Sequence, residues 1–99
     1  MDKEQVIGIV KSYKEAIAGI VGDCAVYLYG SYSRGTATTD SDIDVAVVVP
    51  TLGEDSLALS ARLWSATRTT STLIEPILLS PDAPSPLFFE VVNNGILIA

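Results

Sequence analysis

The chain has 99 residues, of which 12 are acidic and 6 are basic, so its formal net charge is −6, and it contains no histidine. A protein that holds nucleic acid or an anionic membrane by charge presents a basic stripe, because phosphate neutralisation supplies much of the affinity. This composition argues against both kinds of binding. The lack of histidine also excludes histidine-based catalytic triads and the usual zinc sites.

The chain shows no sign of a membrane span or of an oxidising compartment. No apolar run reaches the roughly 18 residues that a membrane-spanning helix requires. The chain has one cysteine, Cys24, so no internal disulfide can form. We expect Cys24 to be a small core residue and the protein to be cytoplasmic.

The first half of the chain predicts one helix and two strands. Apolar residues recur at helical spacing over residues 3 to 21, with Asp2 as the N-cap and Gly22 as the stop. Residues 25 to 29, AVYLY, are β-branched and aromatic and predict a first strand. A polar stretch follows, and residues 42 to 49, DIDVAVVV, predict a second strand that is covered on both faces.

The second half predicts a helix over residues 54 to 68, a strand over residues 73 to 80 and a short helix over residues 86 to 94. Pro76 places the strand at a sheet edge or at a bulge. The apolar tail ILIA could be a core strand or could pair at a sheet edge. Together these elements predict one α/β (α+β) domain over residues 1–99, a mixed sheet of three to four strands flanked by helices. The packing candidates of the middle helix are Leu57, Leu59, Leu63 and Trp64.

Two aspartates stand at the mouth of the second predicted strand. Because successive side chains of a strand point to opposite faces, Asp42 and Asp44 share one face, with α-carbons about 6.5 to 7 Å apart. Carboxylates at this separation can share divalent cations, since Mg²⁺ prefers oxygen ligands and paired metal ions lie about 3.5 to 4 Å apart. The alternative is that the two carboxylates simply solvate the start of a strand.

A Gly-Ser pair, Gly30 and Ser31, directly follows the first predicted strand. Glycine lets the backbone approach an anion, and a strand-to-helix turn presents free N–H groups to phosphate. Taken alone, such a pair is more often an ordinary turn, and Arg34 is more often a surface charge. A phosphate cradle beside a metal site, however, is the equipment of phosphoryl or nucleotidyl transfer.

Gly30 and Ser31, followed after ten residues by Asp42 and Asp44, resemble the signature of the DNA polymerase β-like nucleotidyltransferase superfamily. The stretch GSYSRGTATTDSDIDVAVVV is especially similar to its minimal nucleotidyltransferase (MNT) branch. The resemblance implies a mixed-sheet core in which Gly30 and Ser31 hold the triphosphate of a nucleotide. It also implies that Asp42 and Asp44 ligate Mg²⁺, with two ions in the site.

The third carboxylate of that family is normally an aspartate on a later strand, and the position falls here on Glu75. The resemblance implies that Glu75 is a metal ligand or the base that deprotonates an attacking hydroxyl, a role that requires hydrogen-bond reach. The alternative is a solvated glutamate on an edge strand. Arg34 is expected to face the nucleotide phosphates, or to pair with Asp40 or Asp42 when no nucleotide is bound.

The resemblance implies Mg²⁺-dependent transfer of AMP from ATP to a hydroxyl. It also implies a HEPN-domain protein as partner and acceptor, in a toxin–antitoxin pair in which this chain is the antitoxin. One alternative is a weak or inactive enzyme that neutralises its partner by binding alone. The other is a small-molecule nucleotidyltransferase of the aminoglycoside type, for which the chain is short.

Overall fold

The computed structural model describes residues 1–38 and 41–99, and this part of the chain forms four α-helices and a four-stranded sheet. The helices are α1 (Lys3–Val21), α2 (Ser31–Arg34), α3 (Ser56–Ala66), which continues as a 3₁₀ turn (Thr67–Thr69), and α4 (Pro86–Asn94). The strands are β1 (Ala25–Tyr29), β2 (Ile43–Val48), β3 (Ile74–Leu79) and β4 (Ile96–Ile98).

The strands form one mixed sheet in the order β3-β2-β1-β4. β1 pairs antiparallel with both β2 and β4, whereas β2 and β3 are parallel and are joined through α3. The predicted α+β class with a mixed sheet flanked by helices is therefore confirmed. The apolar tail is a core strand at one edge of this sheet.

Local signals fix the beginning and the end of α1. The side chain of Asp2 accepts a hydrogen bond from the Gln5 N–H at 2.8 Å, and the side chain of Gln5 accepts one from the Asp2 N–H at 2.9 Å. This capping box satisfies two donors that would otherwise be unpaired at the helix start. Gly22 ends the helix with a positive φ of 66°. The predicted limits of α1 are confirmed.

The two faces of the sheet differ in their cover. On the covered face, α1 and α3 bury the alternate strand residues Val26, Leu28, Ile43, Val45, Val47 and Ile74. The open face carries Tyr27, Tyr29, Asp44, Ala46, Val48, Glu75 and Ile77. Among the described elements, α4 packs on this open face through Val91. The main core therefore lies between the covered face and helices α1 and α3.

The prediction that Leu57 and Trp64 are packing residues of the middle helix is wrong. Leu63 of α3 is fully buried, but the side chain of Leu57 is 83% exposed and that of Trp64 is 48% exposed. α3 lies over the edge strand β3 and has α1 as a neighbour on one side, so its other side faces the open edge of the sheet. The helical spacing alone did not reveal this edge position.

Pro76 is compatible with β3 because its nitrogen lies at the open edge. The N–H of Ile43 donates to the carbonyl of Leu73 at 2.8 Å, and that of Val49 donates to the carbonyl of Leu79 at 2.9 Å. Alternate residues of β3 therefore bond to β2, and Pro76 falls between them. The prediction of an edge strand is confirmed. In the part of the chain that the structure covers, no helix combines the length and apolar character needed to cross a bilayer.

Candidate active site

Three neighbouring strands bring polar side chains together on the open face. Asp44 on β2 lies in register with Tyr29 on β1 and with Glu75 on β3. Asp42 is exposed and lies one residue before β2. The register places Asp44 and Glu75 at one end of the sheet, and Asp42 is near enough to act on both by its charge and to share a hydrogen bond with Glu75.

Gly30 joins this carboxylate group to the turn after β1. Its backbone has φ 74° and ψ −148°, a conformation that is essentially restricted to glycine. A Cβ atom built on Gly30 would lie 3.0 Å from Cγ and 3.2 Å from Cβ of Asp44, and it would overlap the carboxylate oxygen Oδ2. The sequence therefore needs glycine here for two reasons, the backbone conformation and the space that Asp44 occupies.

The turn after Gly30 is the single helical turn α2. The first bond of this turn runs from the Arg34 N–H to the carbonyl of Gly30 at 3.2 Å. The N–H groups of Ser31, Tyr32 and Ser33 therefore precede the first helical bond, as at every helix start. The hydroxyl of Ser33 donates to the same Gly30 carbonyl at 2.8 Å. The predicted strand-to-helix turn is present, and the N–H groups that precede its first helical bond follow directly on the contact with Asp44.

Crowded negative charge perturbs the carboxylates. Burial, followed by the negative charge of Asp42, raises the pKa of Asp44, and the positive charge of Arg34 acts in the opposite direction. The pKa of Glu75 is also raised, chiefly by the charge of Asp42, with further contributions from burial, a hydrogen bond with Asp42 and the charge of Asp44. Such a group gains from a bound proton or a bound cation, because either one relieves the repulsion between like charges.

The donor set of this group fits Mg²⁺. Its oxygens are hard carboxylate ligands of the type that Mg²⁺ prefers. Within residues 1–38 and 41–99, no three acidic, cysteine or histidine side chains are arranged so that they could hold a metal ion by themselves. Magnesium sites at phosphate-transfer centres usually take one or two protein carboxylates and complete the shell with substrate phosphates and water. Asp42 and Asp44 match this number of carboxylates.

The structure gives a position relative to the site for Arg34 but not for Asp40. Arg34 ends α2 and is exposed, and its charge lowers the pKa of Asp44, so it stands on the side of the site where the turn lies. Its role toward nucleotide phosphates stays a prediction. Asp40, the alternative partner of Arg34, lies outside the described residues.

Sequence reasoning missed Tyr29. It is half-buried and lies opposite Asp44 in the antiparallel pair, so both side chains share the open face. Burial raises the pKa of its phenol, and the charges of Asp44 and Glu75 raise it further. Strand alternation could have given its face, but its cross-strand partner depended on the register between β1 and β2, which the sequence did not supply.

Three solved structures are similar to this fold, and two of them are toxin–antitoxin proteins. A toxin–antitoxin structure with AMP-PNP is 26% identical, with a TM-score of 0.59, over 94% of this chain and 72% of that one. A mutant of the toxin–antitoxin pair MntA–HpeT is 23% identical, with a TM-score of 0.56, over 100% of this chain and 73% of that one. A nucleotidyltransferase from Sulfolobus solfataricus is 21% identical, with a TM-score of 0.70, over 96% of this chain and 80% of that one.

Sequence comparisons give the family. A protein of Methanocaldococcus jannaschii that is named as a protein adenylyltransferase is 32% identical over 97 residues, which cover 93% of this chain and 97% of that protein. The profile of the family described as polymerase beta, nucleotidyltransferase matches residues 4–99. The chain therefore belongs to the polymerase β-type nucleotidyltransferases, fits their minimal (MNT) branch and is a transferase.

Proposed function

We propose that this chain transfers AMP from ATP to a hydroxyl of a partner protein and that it acts as the antitoxin of a HEPN-domain toxin. The observation that carries the proposal is the contact between Gly30 and Asp44. It joins a turn with free N–H groups to a carboxylate group, so that one site can hold both a nucleotide phosphate and its metal ion.

Each residue of the site has a role in this proposal. Asp42 and Asp44 hold Mg²⁺, and the turn at Gly30 and Ser31 holds the phosphates. When bound, Mg²⁺ neutralises phosphate charge as it develops in the transition state. Glu75 accepts the proton of the attacking hydroxyl, because its raised pKa makes it a better base than an ordinary glutamate.

The reaction exchanges one P–O bond for another and moves one proton. The hydroxyl oxygen of the acceptor bonds to the α-phosphorus of ATP, and the bond from this phosphorus to the bridging oxygen of the β-phosphate breaks. Pyrophosphate leaves with that electron pair, and the hydroxyl proton passes to the Glu75 carboxylate. The products are the adenylylated acceptor and pyrophosphate.

The similar proteins support ATP as donor and a protein as acceptor. One relative is named as a protein adenylyltransferase, and one similar structure is a toxin–antitoxin with AMP-PNP, an ATP analogue. The net charge of −6 agrees with a protein acceptor rather than a nucleic acid. The HEPN identity of the partner comes from the likeness of the motif to MNT antitoxins.

A second candidate is an antitoxin that neutralises its partner by binding alone. Two observations favour it. Glu75 replaces the aspartate of the family motif, and the described residues offer no complete set of three protein ligands for a metal ion. In this case the site holds nucleotide weakly or without turnover, and the partner is inhibited by the complex itself.

The experiment uses the full chain, a purified HEPN-domain protein from the same genome, Mg²⁺ and ATP labelled on its α-phosphate. We expect label on the partner, and a loss of about 100-fold or more with Asp42→Asn or Asp44→Asn, because each removes charge that positions the metal and phosphates. Asp23→Asn, an exposed aspartate outside the site, is the matched control and should retain the activity.

Three further results decide between the candidates. A partner that stays unlabelled in a tight complex supports inhibition by binding. Transfer that survives both Asp42→Asn and Asp44→Asn contradicts the assigned carboxylates. Kanamycin replaces the protein in a parallel reaction, and label on kanamycin but not on the partner contradicts a protein acceptor.

A further inference from the structure

The sheet order gives the candidate site a donor side and an acceptor side. The phosphate-binding turn at Gly30 follows β1, Glu75 lies on β3, and Asp44 lies between them on β2. In phosphoryl transfer the attacking and leaving oxygens lie roughly in line on opposite sides of the phosphorus. If the leaving pyrophosphate is held at the turn after β1, the acceptor hydroxyl approaches from the side of β3. This step rests on the proposed function.

The surface beyond Glu75 on that side is a groove of about 440 Å³ between α3 and β3. We call it the α3–β3 groove. Pro76, the residue after Glu75, lines it on the covered face, whereas Ile77, which also lines it, shares the open face with Glu75. The groove therefore wraps around the edge of β3 and reaches the face that carries the proposed base. Its lining residues are Leu52, Ser56, Leu57, Ser60, Trp64, Pro76, Ile77 and Leu78.

Two large apolar side chains stand exposed along this groove. Leu57 is 83% exposed and Trp64 is 48% exposed. They are seven residues apart, which is about two helical turns, so both project from the same side of α3. The small Ser60 lies between them. This spacing is that of a helix face that receives the apolar side chains of a partner helix.

The open edge of β3 is unsuited to the addition of a further strand. Pro76 lacks an N–H, and its nitrogen faces that edge. A strand of a partner would therefore miss a backbone bond at the centre of β3. A partner helix is not affected by the missing N–H, because it packs through its side chains and makes no backbone hydrogen bonds to β3.

The charge around the groove is acidic. Asp82 accepts hydrogen bonds from the Leu52 N–H at 3.3 and 3.4 Å, Glu54 and Asp55 directly precede α3, and Glu75 directly precedes Pro76, which lines the groove. Arg62 and Arg68, on α3 and the turn after it, offset part of this charge. The balance favours a partner whose apolar side chains are flanked by Lys or Arg.

We propose that the α3–β3 groove docks the acceptor protein through one amphipathic helix of that protein, with basic residues beside its apolar face. Leu57 and Trp64 are the anchor contacts, and docking sets the hydroxyl of the acceptor against Glu75. The groove therefore determines which protein is modified, whereas the turn and the two aspartates bind the nucleotide.

The test compares the Leu57→Ser, Trp64→Ser double variant with a matched control in which two other exposed apolar side chains are changed, Phe89→Ser and Leu97→Ser. These control residues are 53% and 59% exposed and lie on α4 and β4. The probe is the purified HEPN-domain protein. Affinity for this protein is measured by titration calorimetry without ATP, affinity for ATP with Mg²⁺ is measured without the protein, and circular dichroism checks folding.

We expect the groove variant to bind the HEPN-domain protein at least about tenfold more weakly, because centrally placed apolar anchors dominate such interfaces. Its affinity for ATP should stay within about twofold of the wild type, and the control should match the wild type in both. A second variant, Glu54→Lys with Asp55→Lys, should weaken protein binding and leave nucleotide binding unchanged.

Unchanged protein binding in the groove variant overturns the docking surface and leaves the transferase untouched. An equal loss in the Phe89 and Leu97 control also overturns it, because the interface then lies elsewhere. If the wild type binds the HEPN-domain protein but transfers no AMP, the proposed transfer activity is wrong. The affinities of the groove variant and the control then still show whether the α3–β3 groove is the docking surface. If the wild type does not bind that protein, the proposed docking is overturned.

Discussion

The two faces of the sheet use the same strands for different purposes. On β2, Ile43, Val45 and Val47 are fully buried against α1 and α3, whereas Asp44 and Val48, on the other face, are half-buried. Because successive residues of a strand alternate between faces, each residue belongs to one environment. The covered face holds the main core, whereas the open face holds a smaller buried cluster under α4 and the proposed chemistry.

The difference in cover also explains where charge is tolerated. A carboxylate on the covered face would lie among fully buried side chains, at a large cost in free energy. On the open face, solvent still reaches Asp44 and Glu75. The repulsion between the carboxylates there raises their pKa values, and the buried core is not affected. Substitutions on the two faces should therefore separate stability from function.

The largest effect is expected where the two purposes meet, at Gly30. Gly30→Ala should lower the free energy of unfolding by about 3 kcal/mol. It has two costs, the strain of a side chain at positive φ and the overlap of the new methyl group with Asp44. Gly22 is the matched control, since its φ of 66° and ψ of −128° are similar but a Cβ there would meet nothing within 4 Å. Gly22→Ala should cost only about 1 to 2 kcal/mol of backbone strain.

Urea denaturation measures both variants of this pair. Equal losses of unfolding free energy in Gly30→Ala and Gly22→Ala would contradict a steric overlap between the new methyl group and Asp44. Adding Asp44→Ala to Gly30→Ala should recover part of the stability, because it removes the carboxylate that the new methyl group meets.

The next effect compares neighbouring valines of β2. Val47→Ala on the covered face should cost about 2 to 3 kcal/mol, because it removes fully buried methyl groups and leaves a cavity. Val48→Ala makes the same chemical change on the half-buried open face and should cost about 1 kcal/mol or less. Thermal denaturation of the two variants measures the difference, and a larger loss at Val48 would contradict the assignment of the faces.

The parts of the fold that the sequence predicted best are set by local interactions. The limits of α1 and β1 follow from neighbouring residues, namely the capping pair of Asp2 and Gln5, the stop at Gly22 and the apolar run that begins at Ala25. The face of Asp44 needed strand alternation alone, whereas the shared face of Asp42 and Asp44 stays a prediction because Asp42 precedes β2. These features depend on residues a few positions apart.

The parts that the sequence did not predict depend on tertiary contacts. Trp64 and Leu57 have the spacing of core residues, but α3 lies at an edge of the sheet, and no local signal reports that position. Tyr29 joins the site through the register with Asp44, which forms only when β1 and β2 pair. The neighbours of Glu75 likewise follow from the parallel pairing of β2 and β3.

A smaller effect is expected from two tyrosines that face different environments. The hydroxyl of Tyr13 is buried and donates to the carbonyl of Leu63 at 2.7 Å, which ties α1 to α3. Tyr13→Phe should cost about 1 to 2 kcal/mol, because the Leu63 carbonyl then lies buried without that donor. Tyr29→Phe on the open face should leave the stability within about 0.5 kcal/mol of the wild type. Denaturant titration tests both, and an equal cost at Tyr29 would show that its hydroxyl also stabilises the fold.

The smallest effect, a gain of stability, is expected for Asp44→Asn. Burial and the charge of Asp42 raise the pKa of Asp44 above its ordinary 3.8, so ionisation of Asp44 costs the folded state free energy. This cost is absent below the ordinary pKa, where the group is protonated in both states, and it is complete above the raised pKa. In EDTA at pH 7 the variant should therefore gain about 0.5 kcal/mol, a small value because Asp44 is half exposed, or a few degrees in Tm.

Thermal denaturation at pH 3 and pH 7 checks the sign of this effect. The gain should vanish at pH 3, and the Asp23→Asn control should show none at either pH. Mg²⁺ at pH 7 should raise the Tm of the wild type more than that of Asp44→Asn, because a ligand that binds the folded state stabilises it and the variant has lost a ligand oxygen's charge. A variant that is less stable than the wild type at pH 7 in EDTA would mean that the ionised carboxylate stabilises the fold, and the open face would then serve stability as well as chemistry.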